Sequence, residues 1–80
     1  MALGNRCTIS FNTASNNPGA GIRTAFGSGH LVTGNVALNN ALGLDYSISC
    51  PSTVTNNAST NGFPASYDLE GTGCKTVGNE

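Results

Sequence analysis

Charge is scarce in this sequence. Only 9% of its 80 residues are charged, comprising three Lys or Arg and four Asp or Glu, whereas an ordinary globular domain carries about 25%. Nucleic acids and anionic membrane surfaces are bound through clustered basic side chains. The three cations, Arg6, Arg23 and Lys75, are scattered along the sequence, which argues against both kinds of partner.

Tryptophan, long apolar runs and helical periodicity are also missing. The chain contains no Trp, and no apolar run approaches the roughly 20 residues needed to span a bilayer. No long segment repeats its apolar residues with the 3.6-residue period of a helix. The sequence therefore predicts a single small β-rich domain over residues 1–80, without membrane insertion. Because a core of this size rarely supplies more than about 3–5 kcal/mol, we expect a cross-link or a neighbouring subunit to stabilise it.

Cysteine occurs in an odd number. Cys7, Cys50 and Cys74 form no C-x-x-C pair, so zinc, iron–sulfur, haem and thioredoxin-like sites lack support. The count permits one disulfide and leaves three pairings open. We favour Cys50–Cys74, because the segment between these residues is the most loop-like and its closure stabilises by about 3 kcal/mol. Three reduced cysteines are the alternative.

Two segments alternate apolar with polar side chains, the pattern of half-buried strands. The apolar residues are Cys7, Ile9 and Phe11 in residues 6–13, and Leu44, Tyr46, Ile48 and Cys50 in residues 44–50. Because aromatic residues organise small cores, we expect Phe11 and Tyr46 to be buried. Further short strands are predicted at Ile22–Phe26, His30–Leu38, Thr53–Thr55, Phe63–Leu69 and Cys74–Val77. Within the second of these, Gly34-Asn35 forms either a bulge or a tight turn.

Turn-forming residues separate these segments. Gly, Asn, Thr and Ser make up 39 of the 80 residues, and short strands divided by such residues are typical of all-β domains. We find no internal repeat at the periods of solenoid proteins. The sequence predicts an all-β fold, namely a small antiparallel sandwich or meander of short strands with long polar loops.

Residues capable of catalysis are few. His30 is the single histidine and has no neighbouring ligand in sequence, so we interpret it as an ordinary histidine and not as a base or metal ligand. Asp68 and Glu70 would share one face of a strand, and Asp45 could join them in space. A hard cation usually requires more oxygen ligands than these. The sequence therefore predicts neither enzymatic activity nor a cofactor.

The polar faces of the two best strands consist of small, neutral side chains. Thr8, Ser10 and Asn12 form the first face, and Ser47 and Ser49 form the second. Such faces cost less to desolvate than charged faces, and they lack the Lys and Glu side chains that prevent edge-to-edge pairing. We therefore identify these five residues as candidates for an assembly or binding face.

Residues 44–80 resemble the C-terminal part of a type IV pilin head. In that family a small β-sheet carries a disulfide near the C-terminus that closes a variable loop, and here Cys50 and Cys74 enclose mostly small or polar residues. The resemblance implies a Cys50–Cys74 disulfide and a place in a surface fibre. The N-terminal hydrophobic helix of the family has no counterpart in this sequence, so the resemblance implies either a head expressed alone or a head subunit with a separate helical partner.

These observations predict a structural subunit of an extracellular filament or pilus that self-associates through neutral polar strand faces and serves in cell adhesion. We expect it outside the cell or on its surface, as a homo-oligomer or filament, and without nucleic acid. The alternatives are a small secreted carbohydrate- or surface-binding module and a virion coat or decoration protein.

Overall fold

The computed structural model describes residues 5–24, 27–40 and 44–80. The regular secondary structure within these ranges consists of β-strands. Ten short strands follow one another within these described ranges. Their bounds are Thr8–Ser10 (β1), Thr13–Ser15 (β2), Ile22–Arg23 (β3), Leu31–Thr33 (β4), Val36–Leu38 (β5), Tyr46–Ser49 (β6), Thr53–Thr55 (β7), Ala58–Ser59 (β8), Tyr67–Glu70 (β9) and Lys75–Val77 (β10). Within the described ranges no helix could cross a membrane.

The strands form three parallel sheets that the chain visits in turn. The first sheet contains β1, β4, β7 and β10, the second contains β2, β5 and β8, and the third contains β3, β6 and β9. In the first sheet Thr8 pairs with Leu31, which pairs with Thr53, which pairs with Lys75. The chain is therefore a parallel β-solenoid, and successive coils lie about 4.8 Å apart. Each coil begins at the corner before its first-sheet strand: the first coil carries β1–β3, the second β4–β6, the third β7–β9 and the fourth β10.

The expectation of an antiparallel sandwich or meander is wrong, because all strand pairs of the described chain are parallel. The physical reason lies at the corner between the first and second sheets. This corner is occupied in successive coils by residues with φ between 54° and 69°: Phe11, Gly34, Asn56 and Gly78. The left-handed conformation here directs the chain into the next sheet. A hairpin would instead need a loop that returns the chain beside the same strand.

A sequence repeat is present, although the sequence analysis finds none. Asparagine follows the left-handed corner residue in every coil, at Asn12, Asn35, Asn57 and Asn79. The separations between neighbouring members are 23, 22 and 22 residues. Most other positions of the coil vary in residue type, as Thr8, Leu31, Thr53 and Lys75 do at the start of the first-sheet strands. Such variation hides the period from composition and hydrophobic pattern.

The predicted strands agree with the structure only in part. Thr53–Thr55 coincides with β7, and residues 44–50 contain β6. Residues 6–13 do not form one strand, because the corner at Phe11 divides them between β1 and β2. The side chain of Phe11 is consequently 84% exposed and not buried as expected.

The core lies inside the coil, where equivalent side chains of successive coils stack. Val32 and Val54 are fully buried neighbours in the first sheet, and half-buried Ile9 packs against this core cluster. In the third sheet Tyr46 pairs with Tyr67. Their rings are parallel within 3°, with centroids 4.4 Å apart. Tyr46 is fully buried, as the sequence predicts.

A disulfide joins Cys50 to Cys74, the pairing favoured on sequence grounds. It connects the residue after β6 with the residue before β10, and their Cα atoms are 5.1 Å apart. The cross-link therefore ties the third coil to the beginning of the fourth. Cys7 lies outside the disulfide and is half-buried.

Candidate functional site

The most regular feature of the molecule is a ladder of asparagines along the corner between the first and second sheets. We call Asn12, Asn35, Asn57 and Asn79 the asparagine ladder. Each of the first three donates its backbone N–H and its Nδ2 to Oδ1 of the next, over 2.9–3.2 Å. Each rung therefore satisfies a corner N–H that no strand partner could reach.

The amides of the ladder also fasten each coil to the preceding one. Nδ2 of Asn35 donates to the carbonyl oxygen of Ile9 at 3.0 Å. Nδ2 of Asn57 donates in the same way to Val32 at 3.0 Å, and Nδ2 of Asn79 donates to Val54 at 2.8 Å. Asn35 and Asn57 are almost completely buried, so their hydrogen-bonding groups have little access to water. The ladder thus specifies the stacking register of the coils.

The ladder has a direction, and its two ends differ chemically. At the first coil, the Oδ1 atom of Asn12 accepts no hydrogen bond from a described residue, and Asn12 is exposed. At the fourth coil, the backbone N–H of Asn79 has no acceptor among the described residues. The first coil therefore presents an Oδ1 acceptor, and the fourth coil presents a backbone N–H donor. Inside the ladder, groups of these two kinds are bonded to each other.

A second, shorter ladder ends in a buried carboxylate. Asn17 donates its N–H and Nδ2 to Oδ1 of Asn40, and Asn40 donates both groups to Oδ1 of Asp45. Oδ2 of Asp45 accepts the N–H of Thr60 at 2.7 Å. Burial alone would raise the pKa of Asp45, but the hydrogen bonds from Thr60 and Asn40 outweigh it and hold the pKa below 3.8. Asp45 is therefore a structural anion with no surface for a ligand.

The outermost strands of the first sheet are β1 and β10. A strand at the edge of a sheet has one row of N–H and C=O groups without a strand partner, and it can pair with another strand. The second and third sheets end one strand earlier, at β8 and β9. The edge formed by β10 therefore projects beyond its neighbours and lies next to the donor end of the asparagine ladder.

The five candidates from the sequence do not share one face. Thr8 and Ser10 lie on β1 in the first sheet, and Asn12 is the acceptor end of the asparagine ladder. Ser47 and Ser49 lie on β6 in the third sheet. The structure therefore separates the candidates into two sheets, and it places three of them at or beside the open edge of the first coil.

The two serines of the third sheet are engaged within the molecule. Ser47 is buried, and its Oγ donates to Glu70 at 3.4 Å. The hydroxyl of Ser49 lies 3.2 Å from that of Thr24, and its N–H donates to the same Thr24 oxygen at 2.8 Å. We therefore find the third-sheet serines less suited to an intermolecular contact than Thr8, Ser10 and Asn12.

The groups considered for catalysis lie in different places. His30 is buried, its Nδ1 accepts the backbone N–H of Cys7 at 3.1 Å, and its own backbone N–H donates to Oγ of Ser52 at 3.1 Å. Asp68 and Glu70 lie on β9, whereas the carboxylate of Asp45 is bound to Asn40 and Thr60. Among the described residues, no group of three His, Cys, Asp or Glu side chains could hold a metal ion.

Of the four ladder residues, only Asn12 is a candidate from the strand pattern of the sequence. Asn35, Asn57 and Asn79 are not, although the sequence contains a signal for them. It is the recurrence of Asn after a residue able to adopt positive φ, namely Phe11, Gly34, Asn56 and Gly78. Asparagine and glycine tolerate that conformation well, and the exposed Phe11 is the exception that obscures the pattern.

No protein-family model, no curated protein and no solved structure matches this chain significantly. A function for it must therefore be argued from the geometry and chemistry of its own residues. The asparagine ladder and the two outer strands of the first sheet are the features on which that reasoning rests.

Proposed function

We propose that this chain is a structural subunit of an extracellular filament whose copies join end to end. The observation that carries the proposal is the complementarity of the ladder ends. Asn79 presents an N–H donor, and Asn12 presents the Oδ1 acceptor that would receive it. Stacking the first coil of one copy on the fourth coil of another would continue the ladder with the bonding pattern found inside each molecule.

The joint pairs β10 of one copy with β1 of the next in a parallel register. Lys75 then lies opposite Thr8, and Val77 lies opposite Ser10, as in the register between coils within the chain. Because the second and third sheets end one strand earlier, the first sheet and the asparagine ladder carry the contact. The two contacting surfaces are different, so each addition leaves a new free end and the assembly grows as an open filament.

The low charge of the molecule supports this assembly. Of the six side chains on β1 and β10, Lys75 alone is charged. Natural monomers usually protect exposed edges with charged side chains, prolines or bulges. The strand that would pair with β10 across the joint is β1, Thr8–Ser10. It contains no charged residue and no proline that would prevent pairing with another strand.

The disulfide is consistent with an oxidising location. Structural disulfides persist in extracellular and periplasmic proteins and are rare in the cytosol of most cells. The Cys50–Cys74 bond therefore supports the proposed place of the filament outside the cell or on its surface.

Sedimentation velocity and negative-stain electron microscopy at rising protein concentration test the proposal. We expect the wild-type chain to form concentration-dependent filaments. Asn12→Ala should abolish them, because it removes the acceptor of the joint. Asn17→Ala is the matched control, since Asn17 also donates N–H and Nδ2 to one asparagine, but in the shorter ladder. A wild-type chain that stays monomeric at all concentrations, or equal loss of filaments in both variants, would overturn the proposal.

A further inference from the structure

A groove runs along the corner that leads into the first sheet. This groove is open to solvent and has a volume of about 560 Å³, within the range typical of ligand sites. Its lining residues come from all four coils. They are Asn5 and Arg6 from the first coil, Ser28 and Gly29 from the second, Pro51, Ser52 and Thr53 from the third, and Gly73 and Lys75 from the fourth. A site that crosses the coils in this way suits an elongated ligand lying parallel to the solenoid axis.

Two of the three cations of the protein line this groove, although they are far apart in the sequence. Arg6 and Lys75 lie three coils from each other, which corresponds to about 14 Å between their positions along the axis. Neither forms an ion pair with a described residue, and no carboxylate lines the groove. The groove therefore carries two positive charges and no negative charge, although the net charge of the protein is −1.

Two glycines, Gly29 and Gly73, line the groove. Gly29 and Gly73 have φ of 73° and 88°, a conformation that strongly favours glycine. A Cβ on Gly29 would lie 3.3 Å from Cγ of Arg6, and a Cβ on Gly73 would lie 3.4 Å from Pro51. The arginine stem therefore lies over the backbone of the next coil, and the groove stays open between the two cations.

We propose that this groove binds a linear anionic polysaccharide through Arg6 and Lys75. The two cations would each bind a carboxylate or sulfate of the chain. Ser28 of the second coil offers a hydroxyl between the two cations. Beside Arg6, Asn5 offers its Nδ2, since its Oδ1 already accepts the backbone N–H of Ser28, and both groups can bond sugar hydroxyls. Double-stranded DNA is a poorer match, because its charges are spaced about 1.7 Å apart along the axis and are usually met by many cations.

Retention on immobilised polysaccharides tests this site, with Asn12→Ala as the parent so that filament formation does not affect binding. Polygalacturonate presents carboxylates, heparin adds sulfates, dextran is neutral, and double-stranded DNA is the competing polyanion. Arg6→Gln and Lys75→Gln should each weaken binding about 3- to 10-fold. Arg23→Gln is the matched control, because it removes the same charge from an exposed position on the third sheet.

We expect retention on polygalacturonate, on heparin or on both, weakening as salt rises, and little effect of Arg23→Gln. Retention on polygalacturonate assigns the ligand group as a carboxylate, and retention on heparin alone assigns it as a sulfate. Equal retention on dextran, retention on DNA alone, no retention at all, or an equal loss in all three charge variants would overturn the proposal. Because the site lies within one molecule, these outcomes do not depend on whether filaments form.

Discussion

Asn57 donates two hydrogen bonds to the same oxygen atom of Asn79. Its backbone N–H lies 3.1 Å and its Nδ2 lies 2.9 Å from Oδ1 of Asn79. Oδ1 of Asn57 in turn accepts the equivalent pair from Asn35. One side chain thus links three consecutive coils, so removing it deprives both neighbours of partners.

Replacing Asn57 should therefore lower the free energy of unfolding much more than replacing Asn12, the exposed end of the ladder. Asn57→Ala leaves the buried backbone N–H of Asn35 without an acceptor and removes one of the two acceptors of its Nδ2, and we expect a loss of about 2–3 kcal/mol in the free energy of unfolding. Asn12→Ala removes an exposed side chain and should lower the free energy of unfolding by less than about 1 kcal/mol. Urea denaturation of both variants measures this difference, and equal losses would contradict the described role of the ladder.

Acid should destabilise the fold through Asp45. The pKa of Asp45 in the fold is lower than the 3.8 of a free carboxyl, so the ionised form is favoured by folding. The resulting stability is fully present above the unfolded pKa and is lost as the pH falls through the folded pKa. Asp45→Asn has no such charge, and its stability should change less between about pH 6 and pH 3.

Urea denaturation at both pH values provides this comparison. Asp68→Asn is the control, because it removes an exposed carboxylate from β9. It should keep the acid sensitivity of the wild-type chain. An Asp45→Asn variant that is as acid-sensitive as the wild type would show that this carboxylate is not responsible.

The hydroxyl of Tyr46 should stabilise the fold more than that of Tyr67. The single hydroxyl proton of Tyr46 is shared between the carbonyl oxygens of Ala58 at 2.7 Å and Asn35 at 3.1 Å, whereas the Tyr67 hydroxyl donates at 3.2 Å to the carbonyl oxygen of Glu80 alone. Tyr46→Phe should cost about 1–2 kcal/mol, and Tyr67→Phe should cost less. Thermal and urea denaturation measure the two losses, and a smaller loss in Tyr46→Phe would contradict the expectation.

Alkali should also destabilise the fold through Tyr46. Burial raises the pKa of its phenol above the ordinary value of 10, and Tyr67 and Asp45 raise it further. The protonated phenol is thus favoured by folding, so its contribution is complete below pH 10 and is lost as the pH rises towards the folded pKa. Absorbance titration should show that Tyr46 ionises only together with unfolding. Ionisation of every tyrosine near pH 10 in the folded protein would contradict this.

The disulfide should account for a large part of the stability of so small a chain. Cys50 and Cys74 are separated by 24 residues, and closing a loop of that size stabilises by about 3 kcal/mol. A Cys74→Ser variant should lose about this amount in urea denaturation. Cys7→Ser is the control, because it leaves the cross-link in place, and an equal loss in both variants would contradict the assignment.

Much of the strand content could be predicted from local patterns. Thr53–Thr55 and the alternation around Tyr46 and Ile48 depend on neighbouring residues alone, and both correspond to strands. The pairing direction could not be predicted in that way, because a period of two is the same in parallel and antiparallel strands. The direction depends on the corners, where Phe11 and Gly34 turn the chain towards a new sheet.

The candidate site could be predicted only at one of its residues. Asn12 was identified as part of a polar strand face, although it belongs to a corner and bonds to Asn35 in the next coil. Arg6 and Lys75 appear scattered in the sequence because the solenoid separates axial neighbours by whole coils. Alignment of the chain with itself at a shift of 22 or 23 residues would superpose the ladder asparagines, but it would place Arg6 opposite Gly73 and not opposite Lys75.

The end-to-end joint can be tested most directly by a cross-link that only the joint permits. Ser10 and Val77 lie three coils apart within one molecule, about 14 Å along the axis, which is too far for a disulfide. Across the proposed joint they would be paired neighbours. The double variant Ser10→Cys/Val77→Cys, made in a Cys7→Ser background, places one new thiol on each edge strand. Ser10→Cys/Leu38→Cys is the control, because Leu38 lies in the second sheet.

Mild oxidation followed by non-reducing gel electrophoresis gives the result. The proposed filament predicts a ladder of covalent multimers for Ser10→Cys/Val77→Cys, reversed by reductant and suppressed by adding Asn12→Ala. The control pair should give only monomers and low-order species. Absence of multimers from the joint variant, or equal multimers from the control, would contradict the end-to-end association.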